Sequence, residues 1–356
     1  MKKFAIYLPQ FHEIPENDEW WGKGFTEWTN VKKAVPLYEG HIQPKVPYNN
    51  NYYCLDNPSV LQWQDEISSS HGIDGMIFYH YYFTGKLLLE KPAEILLKNK
   101  NIPMKFFFCW ANHSWFRSWE GSKKLLMEQK YGTETDWERH FDYLLPFFQD
   151  DRYEKKDNKP IFMIFKPFFK EKQAMMEFFN KKCIEAGFDG LCVIETCTDY
   201  SNSTRSRLLN ENSSYSKYIF IREPDAALSE CKKTIRFKIF RIYEKIRRVL
   251  KLKGSSPIQR IPADWLYDIM KVKQFDKQVI RGAFFEWDNT PRHSDRGYVI
   301  LPVSENNFYK YLDSVSESEY LFINAWNEWC EGMMLEPTEE NGFKYLNWIK
   351  KWSEKA

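Results

Sequence analysis

Two carboxylates near the C-terminus carry the residue types and spacing best suited to chemistry. Glu328 and Glu331 stand in the run Asn324-Ala325-Trp326-Asn327-Glu328-Trp329-Cys330-Glu331-Gly332, which leads into Leu335-Glu336-Pro337. Acids three positions apart share one side of a helical first turn, and in a tight loop they also converge. Breaking a glycosidic bond requires one carboxyl group held protonated and another held ionised. Neighbouring carboxylates raise each other's proton affinity, which supports such a division of labour. Trp326 and Trp329 flank the pair and can exclude water and stack a sugar ring. The spacing alone is weak, because Glu-x-x-Glu is common on helix surfaces. Its place in the chain gives it weight.

That place is the end of an eighth apolar run. Candidate strands fall at Phe4–Leu8, Gly75–Tyr81, Lys105–Trp110, Ile161–Phe165, Leu191–Ile194, Tyr218–Ile221, Ile280–Phe285 and Tyr320–Ala325. Most are continuous rather than alternating, as strands buried on both faces should be. Helical stretches separate them. One opens at Pro58 after Asp56-Asn57, turns Leu61 and Ile67 inward and ends at Gly72. Others run through Thr135–Phe148, Lys170–Ala186, Pro224–Leu250, Ala263–Lys273 and Asn306–Val315. Eight strands alternating with helices predict an α/β fold, a single (β/α)8 TIM barrel over residues 1–356 with elaborated loops at its C-terminal face. No Gly-x-Gly-x-x-Gly follows the first strand, so a dinucleotide-binding sheet is disfavoured. No internal repeat, low-complexity tract or linker divides the chain.

Barrel enzymes place their chemistry at the C-terminal ends of the strands, which turns the strand list into a site list. Polar or aromatic residues follow nearly every strand: Gln10 and His12, His80 and Tyr82, Asn112 and His113, Lys166, Glu195, Glu223, Glu286 and Asp288, then Asn327, Glu328 and Glu331. For any one of them the plainer reading is a wet strand end. Taken with the aromatic residues around them, Tyr7, Gln10, His12, Trp28, His80, Tyr82, Trp110, Asn112, Trp287, Asp288, Asn327 and Trp329 form the expected substrate-binding set, with Glu328 and Glu331 catalytic. The segment from Trp20 to Trp28, with Glu27 inside it, follows the first strand and reads as part of the rim, a sugar-binding or gating loop rather than pure packing. Asp288 either holds sugar hydroxyls or caps its own turn. Neither His-Glu-x-x-His nor a close His pair occurs, so no metal and no cofactor are expected.

The chain resembles the WbsX family of polysaccharide biosynthesis proteins, related to the endo-α-mannosidase-type barrels of glycoside hydrolase family 99. The resemblance runs from Ala5-Ile6-Tyr7-Leu8-Pro9-Gln10-Phe11-His12 to Glu336-Pro337, nearly the whole chain. It includes Trp20-Trp21-Gly22-Lys23-Gly24-Phe25-Thr26-Glu27-Trp28-Thr29-Asn30-Val31, Gly72-Ile73-Asp74-Gly75, Leu88-Leu89-Glu90-Lys91-Pro92, Trp110-Ala111-Asn112 and Trp287-Asp288-Asn289-Thr290-Pro291-Arg292. The resemblance implies a retaining, substrate-assisted mechanism. Glu328 would deprotonate a sugar hydroxyl beside the anomeric carbon, giving an epoxide-like intermediate. Glu331 would protonate the leaving oxygen and then activate water. An intramolecular nucleophile has high effective molarity and needs only a positioned base. One departure bears on substrate choice: relatives usually carry Trp-Ala-Asn-Glu-Asn-Trp where this chain has Trp110-Ala111-Asn112-His113-Ser114-Trp115.

Composition agrees with a carbohydrate substrate. Aromatic residues reach 18%, with 14 Trp, 21 Tyr and 28 Phe, and sugar rings stack their C–H faces on such planes. A net charge of +2 argues against nucleic acid as a partner. Seven cysteines without a Cys-x-x-Cys pair suit reduced thiols, and the apolar run after Met1-Lys2-Lys3 is too short for a signal peptide, so a cytoplasmic location is expected. Residues 232–253 hold ten Lys or Arg against Glu244 alone, with Ile235, Ile239, Ile242, Ile246 and Val249 at helical spacing. The plainer reading is an outer barrel helix with a solvated basic face. The sharper one is peripheral contact with an anionic inner membrane. Two other functions compete with a glycosidase or transglycosylase acting on a cell-surface polysaccharide, such as O-antigen or capsule, or its precursor. A sugar-nucleotide-dependent glycosyltransferase is one, although Asp-x-Asp and a Gly-rich phosphate loop are both missing. A non-catalytic glycan-binding barrel is the other, against which both carboxylates remain in place.

Overall fold

Eight parallel strands hydrogen-bond in a closed ring. The computed structural model describes residues 1–117, 124–209, 213–252 and 255–355. The barrel strands are β1 (Lys2–Tyr7), β2 (Gly75–Phe83), β3 (Phe106–Trp110), β4 (Lys159–Ile164), β5 (Cys192–Cys197), β6 (Ser216–Ile221), β7 (Val279–Ala283) and β8 (Tyr320–Ile323). Each pairs with the next, and β1 pairs with both β2 and β8, so no edge is left open. All eight coincide with the apolar runs of the sequence, because a strand covered by helices on one face and by lumen side chains on the other has no polar face to show. The fold is the (β/α)8 barrel.

Aromatic rings fill the lumen. Phe4 of β1, Phe107 of β3, Phe220 of β6 and Phe322 of β8 are fully buried. Their centroids lie 5.3 Å apart for Phe4–Phe107, 5.5 Å for Phe107–Phe322 and 5.2 Å for Phe220–Phe322. Strands β3 and β6 are not neighbours, so rings linked through Phe322 must meet inside the barrel. The tilted and edge-on geometry is the one aromatic quadrupoles favour.

Helices form the outer ring, and their starts follow local chemistry. Pro58–Ser70 begins at Asn57, whose side chain accepts from the Ser59 N–H, with proline in the first turn. Glu134–Phe148 begins with a reciprocal Thr133–Asp136 cap and buries Trp137, His140, Phe141 and Leu144 against the barrel. One expected element divides. The stretch 224–250 is two helices, Asp225–Lys233 and Ile235–Val249, separated by Thr234. Thr234 takes an extended backbone (φ −72°, ψ 149°), and its hydroxyl accepts from Phe237 N–H, so a new helix starts there. In the second helix Phe237 is buried, whereas Ile235, Ile239, Ile242, Ile246 and Val249 point to solvent. Lys253, the last residue of the basic run, lies outside the described residues.

Long connections elaborate the C-terminal face. Between β1 and the helix Pro58–Ser70 lie two short helices, Pro15–Trp21 and Glu27–Lys33. After β3 a hairpin pairs Trp115–Arg117 with Lys124–Met127. A small sheet joins Gln259–Pro262, which precedes β7, to Tyr298–Leu301 and Trp287–Asp288, which follow it. Truncating the lumen tests the ring cluster. Phe322→Ala should cost about 3–5 kcal/mol, read as a lower urea midpoint with an unchanged slope.

Candidate active site

The two carboxylates following β8 are held by a hairpin rather than a helix. Asn327–Glu328 pairs antiparallel with Met333–Met334, and Trp329–Glu331 forms a single 3-10 turn between them. Gly332 closes the turn at φ 55°, and a Cβ there would meet the Asp288 Cβ at 2.8 Å. Only glycine suits both constraints. The hairpin is tied to the barrel by Asn327. Its Oδ1 accepts from Leu8 N–H at 2.7 Å, and its Nδ2 donates to Leu8 O at 2.9 Å. Below the turn lies a buried polar network. Glu336 accepts from Trp329 Nε1 at 2.6 Å, Tyr53 Oη at 2.8 Å and Gln64 Nε2 at 2.7 Å, and Tyr7 Oη donates to Gln64 at 2.7 Å.

Glu328 and Glu331 open into a cleft of about 350 Å³ at the C-terminal mouth of the barrel. Arg292 organises its acidic side. Its Nη1 donates to Glu331 Oε1 at 2.5 Å, while Nη2 lies 3.2 Å from Glu27 Oε1 and 3.5 Å from Glu328 Oε2. Burial pushes the Glu328 carboxyl up, and the Glu331 charge adds to that. Arg292 opposes both, and the result is about 8 against an ordinary 4.5. Arg222, beyond β6, is ion-paired with Asp225 at 2.7 Å and also faces the cleft. Trp21, Tyr79, Tyr81, Trp115 and Phe165 give the cleft an aromatic wall. Tyr81 and Trp115 meet edge-on at 5.1 Å.

Of the residues expected to bind substrate, Gln10 lines this cleft. The others are seated elsewhere. His80 and Tyr82 face the outer helices: His80 Nε2 contacts His140 Nε2 at 2.8 Å, and Tyr82 stacks on His140 at 3.9 Å. Strand alternation turns their neighbours Tyr79 and Tyr81 into the cleft instead. Trp110 donates to Tyr82 O, and Asn112 clamps the Lys166 backbone through both amide atoms. Tyr7, Asn327 and Trp329 belong to the supporting network just described. Trp28 donates to Tyr53 O and packs on Phe11 and Trp329. Trp287 packs edge-on against Tyr298. His12 is buried, and desolvation lowers it to about 4.

Asp288 caps its own turn. Its carboxylate accepts from Thr290 N–H at 3.0 Å, Thr290 Oγ1 at 2.6 Å and Gln43 Nε2 at 2.6 Å, and meets His41 Nε2 at 2.8 Å. Burial would push this acid up, but those bonds hold it below the ordinary range. The turn it fixes begins Thr290–His293, the helical turn that carries Arg292. Glu195 and Glu223 are also committed elsewhere, to Lys172 at 2.9 Å and to Tyr200 and Ala227. His113, the departure from the family pattern, does line the cleft, where burial lowers it to about 4 and leaves a neutral ring. Arg292, Tyr79 and Tyr81 line the cleft without having been singled out from the sequence, and Glu27 was named there only within the Trp20–Trp28 loop. The one signal for Arg292 is its place in the string Trp287-Asp288-Asn289-Thr290-Pro291-Arg292. Among the described residues no three His, Cys, Asp or Glu side chains converge as a metal site would require.

Removing the guanidinium exposes what it does. Arg292→Met leaves three acids together in a desolvated cleft and should cost about 3–5 kcal/mol near neutral pH. Arg292 draws the Glu328 carboxyl down, so without it Glu328 holds its proton to higher pH, and the loss is largest at high pH and shrinks as Glu328 protonates. Melting temperatures across pH measure this.

Comparison with known proteins agrees with the architecture. The endo-alpha-mannosidase of glycoside hydrolase family 99 from Bacteroides thetaiotaomicron superposes with a TM-score of 0.55 at 11% identity, covering 99% of this chain and 96% of that one. A solved glycoside hydrolase-like protein gives 0.61 at 12% identity, covering 99% and 93%. At such identities the likeness is one of fold. In sequence, WxcX from Xanthomonas campestris pv. campestris is 29% identical over 96% of the chain, and the chain spans about half, 48%, of that protein. The family model for glycosyltransferase WbsX matches residues 3–349. The chain belongs to the WbsX glycosyltransferase family.

Proposed function

We propose that this chain is a carbohydrate-active enzyme that cleaves or transfers glycosidic bonds of a cell-surface polysaccharide or its precursor, with retention of anomeric configuration. The observation that carries the reading is the convergence of Glu328 and Glu331 on Arg292 in an aromatic-walled cleft at the C-terminal mouth of the barrel. Family membership and fold support the carbohydrate class. Glu328 is the base toward a sugar hydroxyl, and Glu331 is the acid toward the leaving oxygen and then the base toward water. Access favours this assignment: the Glu331 side chain is 26% exposed and that of Glu328 11%, and only the second step needs bulk water. Tyr79, Tyr81 and Trp115 supply the stacking surface.

Burial and the neighbouring Glu331 charge hold a proton on the Glu328 carboxyl up to about pH 8. A base must be ionised to act, so turnover should rise as pH increases through about 8, which a pH–rate profile measures. Glu331→Gln should lose roughly 10²–10⁴-fold on a glycan and far less on an aryl glycoside whose leaving group needs no acid. Glu328→Gln should lose activity on both. Unchanged turnover in Glu331→Gln would overturn the mechanism.

The family name favours a second reading, a transferase using a sugar nucleotide. Incubation with a nucleotide-sugar donor separates the two. Release of free nucleotide supports transfer from that donor, and new reducing ends without nucleotide support cleavage.

A further inference from the structure

The helix Ile235–Val249 presents its apolar side away from the protein. At about 100° per residue, Phe237, Phe240 and Glu244 share the inner face, and Ile235, Ile239, Ile242, Tyr243 and Ile246 lie opposite. Fractional exposure confirms this: Phe237 is 5% exposed, while Ile235 is 74%, Ile239 62%, Ile242 60% and Val249 71%. Leu250 and Leu252 continue the stripe. The helix is anchored, not loose. Phe240 meets Trp265 edge-on at 5.4 Å, the Arg236 guanidinium lies 4.0 Å over the same ring, and Thr234 caps the first turn.

Charge selects the partner. Lys238 and Lys245 are exposed, and among the described residues neither forms an ion pair, whereas Arg241 and Arg248 lie toward the inner side with Glu244. Lys238 and Lys245 border the isoleucine stripe directly, and Glu244 is turned inward beside Arg247. A second copy of the chain would oppose this basic border with its own. A surface that is apolar inside and anionic at its boundary satisfies both features. No helix among the described residues is long and apolar enough to cross a membrane, so the fit is to a helix lying flat in the headgroup layer.

We infer that the outward face of Ile235–Val249 docks the protein on an anionic phospholipid bilayer, with the isoleucines inserted among acyl chains and the flanking Lys238 and Lys245 against phosphates. The inner face of the same helix borders the segment 295–298, which follows Arg292 closely in sequence. Docking therefore sets lipid on the side of the barrel that carries the Arg292 loop. This inference does not rest on the carbohydrate reading.

Co-sedimentation of the whole chain with phosphatidylcholine vesicles, with and without phosphatidylglycerol, tests it. Binding is expected only with phosphatidylglycerol and should weaken with added salt. Two double variants separate the contributions: Ile239→Ser with Ile246→Ser, and Lys238→Glu with Lys245→Glu. Each should weaken vesicle binding roughly tenfold or more. Their melting temperatures should stay at the wild-type value, because all four side chains are exposed. Equal binding to neutral vesicles, no binding, or full binding by either variant would overturn the proposal. So would a dimer that the serine variant abolishes while vesicles go unbound.

Discussion

Arg292 sits among Glu27, Glu328 and Glu331, and much of the C-terminal face is built to keep it there. Three acids around one guanidinium carry net negative charge in a space walled by aromatic rings, where charge is poorly solvated. One proton on Glu328 relieves that imbalance, which is the physical origin of its raised affinity. The supporting structure follows from the same constraint. Asp288 fixes the turn bearing Arg292, Asn327 fixes the hairpin bearing Glu328 to β1, and the Glu336 network fixes Trp329 between the two acids. Each of these side chains is polar, buried and satisfied, as a rigid charged site requires.

Much of this was legible in the sequence, and the reasons differ from element to element. All eight barrel strands could be read because burial on both faces leaves a continuous apolar run. Glu328 and Glu331 were candidates because barrels place chemistry after their strands, and the structure puts both in the cleft at the C-terminal mouth. Which face of a strand looks into the lumen could not be read. In Tyr79-His80-Tyr81-Tyr82 every residue is plausible at a sugar site, and a shift of one position exchanges lumen for helix layer. His80 and Tyr82, the pair read as substrate-binding, are the two that face the outer helices. Arg292 and its pairing with Glu27 were hidden for another reason. The two residues are 265 positions apart, and no local periodicity encodes a contact of that range.

The helix Ile235–Val249 shows the limit of periodicity in another form. Its isoleucines repeat at helical spacing, and such a stripe ordinarily marks the side turned to the core. Here a second, smaller apolar set, Phe237 and Phe240, takes that role. The sequence contains both stripes, and only the packing of Trp265 and the break at Thr234 decides between them. Amphipathicity identifies a helix but does not name the neighbour that its apolar face will meet.

The tie between Asn327 and Leu8 spans 319 residues, and that span has a kinetic meaning. A ribosome must release nearly all of this chain before β8 can close against β1 and bring Arg292 to Glu27. Contacts of such long range are slow to form, because the chain entropy must be lost before they stabilise anything. Partly synthesised or partly folded chains therefore present a lined barrel wall without the charged cluster. Maturation of the cleft and sealing of the barrel become a single late event, so a chain that has not finished folding lacks the cluster of Arg292 with Glu27, Glu328 and Glu331.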